Sequence, residues 1–372
     1  MRVLQIACGV SYTDIYYNLF SALKQKDIDF EVYIPQHKGD SVQNITKSEF
    51  PFLFYSNKII RSYDKLLYFS KIRRMTKDVE TNFNLSKISL IHSHSLFSDG
   101  AVAYEIFKKY NIPYIVAIRD TDVNQYFRKG IHLRKFAVNI LRNASHVIFL
   151  SKPYRDKVLN KYIPDKYQNE IMKKSKIIPN GIDNYWLNNK SSSKSRVDNN
   201  IRLIYVGQII KRKNIMKIIE ASNLLKDKYN KKVSIVLIGK KKDEKYFKKI
   251  SRKGSFEYIP YLPKEHLISY YRKSDVFVMP SKTETFGLVY AEAMSQGLPV
   301  IYSRGQGFDG QFNEGEIGYS VEAKNKQDIA TKIIRILDDV TLIRRNCIER
   351  VDKFNWDTIA QDYQNLYYQV LD

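Results

Sequence analysis

Short runs rich in β-branched and aromatic residues alternate along this chain with longer segments of helical periodicity. Runs of this kind are typical of strands buried on both faces of a parallel sheet, with helices forming the crossovers. The predicted strands of the first half are 3–7, 30–34, 90–94, 113–118, 147–150 and 176–178. Those of the second half are 203–206, 234–238, 256–258, 276–279, 300–302 and 319–321. The alternation therefore predicts an α/β protein with two doubly wound sheets.

The length of 372 residues is also that of two domains. Residues 184–200 are rich in Ser, Asn and Lys with little periodicity, so we interpret them as the interdomain linker. This gives a first domain over residues 1–183 and a second over residues 201–356. The aromatic tail, which includes Trp356, Tyr363 and Tyr367, predicts a final helix that packs on a domain.

Composition limits the class of protein. With 44% hydrophobic and 27% charged residues, the chain has the composition of an ordinary globular protein. Its two cysteines, Cys8 and Cys347, cannot form a disulfide framework or a Cys-based zinc site, which favours a reducing compartment. We find no apolar run of roughly 18 residues and no signal-peptide pattern, so we expect a cytoplasmic protein, either free or at the inner face of the membrane.

The positive charge narrows the range of partners. Lys and Arg total 62 against 39 Asp and Glu, a net charge of +23 that attracts polyanions, anionic lipid or phosphorylated small molecules. Both halves of the chain share this excess, and we see no finger, RNP-type or helix-turn-helix signature. We therefore do not expect nucleic acid as a partner.

The densest basic segment is Lys58 to Lys77, where seven basic residues face the single acid Asp64. Ile, Leu, Tyr and Phe residues are interleaved with the basic ones. Such a segment fits an amphipathic helix lying on an anionic membrane. It equally fits a solvated helix packed on its own domain, and both interpretations stay open.

Ligands of doubly wound sheets bind at the carboxyl ends of the strands, so we next consider the loops that follow strands. The loop after the first strand has one glycine, Gly9, instead of the G-x-G-x-x-G pattern, which argues against a dinucleotide cofactor. Gly9 would let a phosphate or sugar approach the backbone, although a plain strand-to-helix turn explains it equally well.

The loop that follows the first strand of the second half is basic. It contains Gly207 and Gln208, and then Lys211, Arg212 and Lys213 before a helix predicted to begin near Asn214. Cations at a helix N-terminus would neutralise a diphosphate well. The alternative is a solvated turn.

Two glutamates mark the loop and helix at 280–294. Glu284 and Glu292 are eight residues apart, slightly over two helical turns, which predicts that they share a face. Carboxylates accept hydrogen bonds from the vicinal hydroxyls of sugars. The amides of Phe286, Gly287 and Leu288 would lie at a helix start, where they could donate to a phosphate.

These motifs resemble the retaining, nucleotide-sugar-dependent glycosyltransferases of family 4. The resemblance is carried by P-S-x-x-E-x-F-G-x-x-x-x-E-A-M at 280–294, by G-L-P-V-I at 297–301 and by P-N-G-I-D at 179–183. Phe354, Trp356 and Tyr367 match a closing helix that crosses back to the first domain. The resemblance implies a GT-B fold, with two Rossmann-like domains facing across a cleft. It also implies a hexosyltransferase-type enzyme with no cofactor. Because Arg and Lys would meet the charge of the diphosphate, we expect no metal requirement.

Matching positions imply roles in binding a nucleotide-sugar donor. Glu284 would contact the donor sugar, Glu292 the ribose hydroxyls, and Lys213 the diphosphate. Many relatives place Arg directly after the glycine that Gly207 matches, whereas this chain has Gln208, so Arg212 is the candidate for the second cation.

The candidates on the acceptor side lie in the first half. Many relatives have a histidine after the strand that matches 114–118, and this chain has Arg119 and Asp120 there. His94 is a further candidate, although His92 and His94 could instead be packed structural histidines. Asp120-Thr121-Asp122 also matches the D-x-D metal motif of the other major glycosyltransferase fold, but a short motif of this kind often arises by chance.

The expected function is therefore transfer of a sugar, with UDP-sugars favoured, to a glycan or lipid-linked acceptor in bacterial surface polysaccharide biosynthesis. Two alternatives are a nucleotide-sugar epimerase or phosphorylase of the same fold, and a non-catalytic module that binds membrane or polyanions.

Overall fold

The computed structural model describes residues 1–37, 52–191 and 200–372. The chain divides into two compact units. Unit 1 comprises Met1–Leu150, Tyr154–Gly181 and Trp356–Asp372, and unit 2 comprises Ser151–Pro153 and Ile182–Asn355. A Cβ atom at Gly181 would lie 2.5 Å from the indole ring of Trp356. Glycine is therefore required where the chain leaves unit 1.

The described part of unit 1 contains one parallel sheet. Its strands are β1 (Arg2–Ile6), β2 (Asp29–His37), β3 (Phe54–Ile60), β4 (Leu90–Ser93), β5 (Tyr114–Ala117), β6 (His146–Phe149) and β7 (Ser175–Ile177). They pair in the order β3-β2-β1-β4-β5-β6-β7. Strand order reverses between β1 and β4, and ligands of doubly wound sheets bind at such a switch point.

Helices cover both faces of this sheet because side chains alternate along each strand. The α-helices of unit 1 described before its last segment are α1 (Ile15–Gln25), α2 (Tyr68–Asn82), α3 (Ala101–Tyr110), α4 (Arg134–Asn143), α5 (Lys152–Tyr162), which belongs to unit 1 from Tyr154 onward, and α6 (Asp165–Lys173). In β1, Leu4 and Ile6 belong to the core that α2, α3 and α4 cover. Val3 belongs to the core on the other face, with Leu19 and Phe20 of α1.

Unit 2 repeats this architecture. Its strands are β8 (Asn200–Val206), β9 (Lys232–Ile238), β10 (Glu257–Ile259), β11 (Val276–Val278), β12 (Val300–Ser303) and β13 (Gly318–Val321). They pair in parallel in the order β10-β9-β8-β11-β12-β13, so the switch point lies between β8 and β11. The doubly wound parallel sheets predicted from the alternation are therefore confirmed.

The helices of unit 2 in the described ranges are α7 (Asn184–Asn188), α8 (Ile215–Asp227), α9 (Glu244–Ser251), α10 (Lys264–Arg272), α11 (Leu288–Ser295), α12 (Lys326–Asp338) and α13 (Val340–Arg350). The last helix, α14 (Trp356–Leu371), belongs to unit 1 and packs against α1. Phe354 precedes α14 and packs in unit 2, where its ring lies 5.5 Å from that of Phe286. The tail is thus divided between the units, instead of forming one helical segment from Phe354 onward.

The expected linker over 184–200 is wrong in its first part. Asn184–Asn188 forms α7, which begins at the capping residue Asp183, and Trp186 of α7 is buried against Tyr271. The low periodicity of this stretch hid a short helix held by one large aromatic side chain. Residues 192–199 of the expected linker lie outside the described residues.

The basic segment Lys58–Lys77 is not a single helix. Ile59 and Ile60 end β3, which pairs with β2, and α2 begins only at Tyr68. β-branched residues favour the strand over the helix that the charge pattern suggested. Among the helices in the described ranges, none combines the length and the apolar character that a membrane crossing needs.

Candidate functional site

The turn after β8 at the switch point of unit 2 is built on glycine. Gly207 has φ of 148°, a value that side-chain-bearing residues rarely adopt. A Cβ atom at the neighbouring Gly239 would lie 2.0 Å from the carbonyl oxygen of Gly207. The Tyr205 hydroxyl donates to the carbonyl oxygen of Gln208 at 2.8 Å, and the Gln208 side chain is exposed. This close packing fixes the path of the chain toward the basic turn at Lys211–Lys213.

Lys213 and Glu284 form a buried ion pair at this switch point. The Nζ of Lys213 lies 2.5 Å from Oε2 of Glu284, and the two residues are 9% and 8% exposed. Nζ also lies 3.6 Å from the sulfur of Met279, and the Ser281 hydroxyl donates to Oε2 of Glu284 at 3.2 Å. The structure therefore brings into direct contact the two residues for which the family resemblance implies binding of the diphosphate and of the donor sugar.

The backbone around Glu284 is held by residues that the sequence analysis missed. Its amide donates to Oε1 of Gln306 at 2.9 Å, and its carbonyl accepts the amide of Gly307 at 2.9 Å. A Cβ atom at Gly307 would lie 1.6 Å from the carbonyl oxygen of Thr285. Gly307 follows β12, and glycine alone permits this contact, so a glycine after a predicted strand was the available signal.

Arg212 lies exposed beside the pair. Its guanidinium donates to the carbonyl oxygen of Thr283 at 3.0 Å, and its own carbonyl accepts the amide of Lys282 at 2.8 Å. These two bonds join the basic turn to the loop that carries Glu284. The helix α8 begins at Ile215, close to the predicted start.

Glu292 does not share a helical face with Glu284. The helix α11 begins only at Leu288, so Glu284 lies in the preceding loop and the count of helical turns does not relate the two. Glu292 lies on α11, where the Tyr271 hydroxyl is 3.5 Å from Oε2. Burial raises the pKa of Glu292 to about 7, so near neutral pH its carboxyl group can both donate and accept a hydrogen bond.

The start of α11 has the geometry expected of an anion site. Gly287 has φ of 79° and caps the helix, and a Cβ atom there would lie 2.6 Å from the ring of Tyr290. The first amides of a helix have no intrahelical acceptor, so those at Gly287 and Leu288 remain available to a ligand. The side chain of Phe286 is buried, with the residue 3% exposed, and the role expected of its amide stays a prediction.

A cavity of about 330 Å³ lies at the switch point of unit 1. Its walls come from the ends of β1, β3, β4 and β5 and from α2. Among the residues that line it are Cys8, Gly9, Arg61, Lys71, Ser98, Asp99 and Arg119. A Cβ atom at Gly9 would lie 2.5 Å from the ring of Tyr16, so close packing already requires this glycine.

The acceptor-side candidates after β5 have different environments. Arg119 donates from Nε to the carbonyl oxygen of His94 at 3.2 Å and from Nη1 to Oδ1 of Asn180 at 3.1 Å. Asp120 is exposed, and the side-chain amide of Asn124 donates to it at 2.5 Å. Of these candidates, the structure places Arg119 in the wall of the cavity.

The second aspartate of the D-x-D motif, Asp122, is bonded to the backbone of neighbouring segments. Asp122 is buried, and its two carboxylate oxygens accept backbone amides of Leu96, Phe97 and Arg119 at 2.9–3.0 Å. Within the ranges 1–37, 52–191 and 200–372, no cluster of three His, Cys, Asp or Glu side chains could hold a metal ion. The geometry therefore favours a structural role for Asp122.

His92 and His94 form part of a buried polar network. His92 Nδ1 lies 2.8 Å from the Tyr367 hydroxyl, and His94 Nε2 lies 2.8 Å from Oε1 of Gln5, which itself donates to Tyr367 at 3.1 Å. Burial lowers the pKa of both histidines well below the usual value, so both rings are neutral. Of the two interpretations of these histidines, their burial favours the packed structural one, in which they tie β1 and β4 to α14.

Comparison with known proteins agrees with this architecture. Residues 188–354 match the family model described as glycosyl transferases group 1, and residues 15–184 match the one described as glycosyltransferase family 4. An uncharacterized glycosyltransferase of Methanocaldococcus jannaschii is 28% identical over 333 residues, which are 86% of this chain and 87% of that protein.

Two further proteins are similar to this chain. The capsular polysaccharide biosynthesis glycosyltransferase CapM of Staphylococcus aureus is 30% identical over 192 residues, or 48% of this chain and 50% of CapM. The crystal structure of HepE from Anabaena in complex with UDP and glucose aligns with a TM-score of 0.68 at 17% identity, covering 99% of this chain and 100% of HepE. With both family models matched and the doubly wound sheets in place, the chain belongs to the family 4 glycosyltransferases of the GT-B fold.

Proposed function

We propose that this glycosyltransferase transfers a hexose from a UDP-sugar to a hydroxyl group of a glycan or lipid-linked acceptor, with retention at the anomeric carbon. Unit 2 would bind the donor, and the cavity of unit 1 would bind the acceptor. The observation that carries the proposal is the buried contact between Lys213 and Glu284, which places a cation and a carboxylate together at the switch point of unit 2. Two relatives support the details: HepE was crystallised with UDP and glucose, and CapM is named for capsular polysaccharide biosynthesis.

The charge at the switch point suits a diphosphate leaving group. Of the three N–H donors of Lys213, Glu284 accepts one and the sulfur of Met279 lies near enough for a second, which leaves one for a phosphate oxygen. Arg212 and the first amides of α11 would add further positive potential. Fixed donors of this kind stabilise the charge that develops as the anomeric C–O bond breaks.

Retention needs no side-chain base in this proposal. The bond between the anomeric carbon and the phosphate oxygen breaks, and the acceptor oxygen forms its bond on the same face of the sugar. The departing phosphate oxygen takes the acceptor proton, and UDP leaves. Because Lys213 and Arg212 would balance the diphosphate charge, we propose that transfer requires neither a metal ion nor another cofactor.

A ligand screen tests the donor assignment. UDP-, GDP- and ADP-sugars are added to the wild type, to Lys213→Ala and to Lys211→Ala, a control that removes an exposed cation from the same turn. A ligand that binds the native state raises the melting temperature by mass action. We expect UDP-sugars to stabilise the wild type and Lys211→Ala but not Lys213→Ala. Stabilisation of all three proteins to the same extent would contradict the proposal.

We also propose that the enzyme works at the inner face of the cytoplasmic membrane, because an apolar surface of unit 1 is exposed beside basic residues. Leu66, Leu67 and Phe69 are 87%, 54% and 49% exposed at the start of α2. Arg73 and Lys77 are exposed farther along the same helix. Apolar side chains next to cations match the interface of an anionic bilayer.

Liposome flotation tests the membrane proposal. The variant replaces Leu66, Leu67 and Phe69 by Ser, and the control replaces Leu53, a leucine 76% exposed just before β3, by Ser. We expect the wild type and the control to float with vesicles of phosphatidylcholine and phosphatidylglycerol. The triple variant should remain at the bottom of the gradient, unbound. Equal flotation of all three proteins, or binding that ignores lipid charge and salt, would reject this surface.

A further inference from the structure

The cavity of unit 1 is lined by both basic and acidic side chains, and the way they pair determines the net charge that a ligand would meet there. Arg61, Lys71 and Arg119 are the arginine and lysine residues of its lining. The acids are Asp64, Asp99 and Asp122. If these six groups paired with one another, the cavity would have no excess charge to attract an ion. The partners of each group therefore decide whether the cavity can bind one.

Two of the acids are already satisfied by groups outside this set or by the backbone. Asp64 accepts the guanidinium of Arg74 at 2.6 Å and the amide of Arg61 at 2.8 Å. Asp122 accepts three backbone amides. In the described part of the chain, neither carboxylate therefore forms an ion pair with Arg61, Lys71 or Arg119.

The third acid, Asp99, is buried in the cavity wall. Its Oδ1 accepts the amide of Cys8 at 3.2 Å, and its buried Oδ2 has no partner in the described part of the chain. Burial raises the pKa of Asp99 to about 6, so a fraction of these groups is protonated near neutral pH. Asp99 thus offsets at most one of the cations.

Two cations of the wall, Lys71 and Arg119, have polar partners other than carboxylates in the part of the chain that the structure describes. Lys71 is only 5% exposed, and its Nζ donates to Oγ of Ser98 at 2.8 Å. Arg119 bonds a carbonyl oxygen and the side-chain amide of Asn180. Within the described ranges, the ion pairs with a nitrogen and a carboxylate oxygen no more than 4.0 Å apart include neither Lys71 nor Arg119.

An ammonium group buried without a directly bonded carboxylate is costly, and Lys71 is such a group within the described ranges. The rings of Tyr68 and Tyr126 lie 5.3 Å and 6.0 Å from Nζ and supply only part of the compensation. An anionic ligand in the cavity would supply the rest.

We infer that the cavity of unit 1 binds a phosphoryl group, held by Lys71 and Ser98 with Arg119 beside them. Because the cavity lies at the switch point between β1 and β4, the site is where a doubly wound sheet binds ligands. That this phosphoryl group belongs to the acceptor of sugar transfer rests on the proposed function. The acceptor class is then a phosphorylated sugar or a lipid phosphate.

Binding of inorganic phosphate and glycerol 3-phosphate to the full chain, measured by calorimetry, tests the site. Lys71→Met removes the charge from the cavity, and Lys77→Met removes the same charge from an exposed position on the same helix. Lys213→Met removes the cation of the donor site in unit 2. We expect Lys71→Met to bind both probes at least about tenfold more weakly than the wild type and Lys77→Met, whereas Lys213→Met measures how much of the phosphate binding belongs to the donor site.

Unchanged affinity in Lys71→Met, or a loss confined to Lys213→Met, would overturn the inference. If Lys71→Met does not fold, Lys71→Gln takes its place and Lys71→Arg, which keeps the charge, must restore binding. UDP titrated into the same proteins separates the two proposals. UDP binding should survive in Lys71→Met and be lost in Lys213→Met, and a chain that binds phosphate through Lys71 but never binds UDP would reject the proposed function alone.

Vesicles distinguish the two sources of the phosphoryl group. Wild type is floated with phosphatidylcholine vesicles with and without phosphatidic acid, in the presence and absence of glycerol 3-phosphate. A lipid phosphate in the cavity predicts phosphatidic acid binding that glycerol 3-phosphate competes away and that Lys71→Met weakens. A soluble phosphorylated sugar predicts that Lys71→Met changes only the binding of the soluble probes. Either result supports the site, whereas equal binding of lipid and soluble probes by Lys71→Met and wild type excludes it.

Discussion

Lys213 and Glu284 are 71 residues apart in the sequence, yet Nζ of one lies 2.5 Å from Oε2 of the other. Lys213 follows β8 and Glu284 follows β11, the two strands that flank the switch point of unit 2. A buried ion pair in this position would serve both donor binding and the stability of unit 2, because each partner also compensates the charge of the other. Experiments on either residue must therefore separate catalysis from stability.

Lys213→Ala should lower the rate of sugar transfer or donor hydrolysis on the order of 100-fold, because loss of one fixed donor costs about 3 kcal/mol in the transition state. Turnover of a UDP-sugar measures this effect. Lys211→Ala, from the same turn, is the control and should keep near-normal turnover. A Lys213→Ala protein that turns over at the wild-type rate would remove Lys213 from the mechanism.

The same pair predicts non-additive effects on stability. Lys213→Met and Glu284→Leu should each destabilise unit 2 by about 3 kcal/mol, because each leaves a buried charge without its partner. The double variant should recover most of this loss but none of the activity. Urea unfolding measures the stability of the four proteins. Additive losses in the double variant would show that the two charges do not compensate each other.

Glu292 predicts a dependence of stability on pH. Its folded-state pKa of about 7 lies above the ordinary value of 4.5, so the folded chain binds a proton that the unfolded chain releases in this range. Stability should therefore fall as pH rises from about 4.5 through about 7, by about 3 kcal/mol from this group.

Replacing Glu292 by Gln removes this titrating group, so the difference from the wild type measures how much of the pH dependence of stability is due to Glu292. The titratable groups that influence the pKa of Glu292 are Tyr271, Asp183 and Lys264, and all three remain in the variant. We expect the melting temperature of Glu292→Gln to decline less between pH 5 and pH 8 than that of the wild type. Parallel curves for the two proteins would mean that Glu292 is charged throughout this range.

The D-x-D motif predicts a contrast between its two aspartates. Asp120→Asn should keep transfer activity, whereas Asp122→Ala should lower the melting temperature because three backbone amides lose their acceptor. Activity of the wild type should survive EDTA. A strict requirement for Mg²⁺ or Mn²⁺, together with loss of metal binding in Asp120→Asn, would restore the metal interpretation.

The sheets and the residues at strand ends could be predicted from the sequence, because a buried parallel strand has a strong local signal. Lys213 and Glu284 were singled out in this way, from loops that follow strands. Their contacts could not be predicted, since the ion pair depends on where β8 and β11 lie in the sheet. Counting turns from Glu284 failed because Gly287, with φ of 79°, marks a helix start that is visible only in the structure.

Features that depend on tertiary packing were also missed. The strand β3 was hidden because its residues overlap a basic segment whose charges suggested a helix. The role of Asp122 was hidden because its partners are backbone amides of Leu96 and Phe97, about 25 residues away. Lys71 was counted as one of seven similar cations, and only its burial distinguishes it from the exposed Arg73 and Lys77.

The most direct test of the central claim compares the affinities of UDP and uridine in two proteins. If Lys213 holds the diphosphate, wild type should bind UDP far more tightly than uridine, and this difference should largely disappear in Lys213→Met while uridine binding stays the same. An equally large preference for UDP in Lys213→Met would contradict the account.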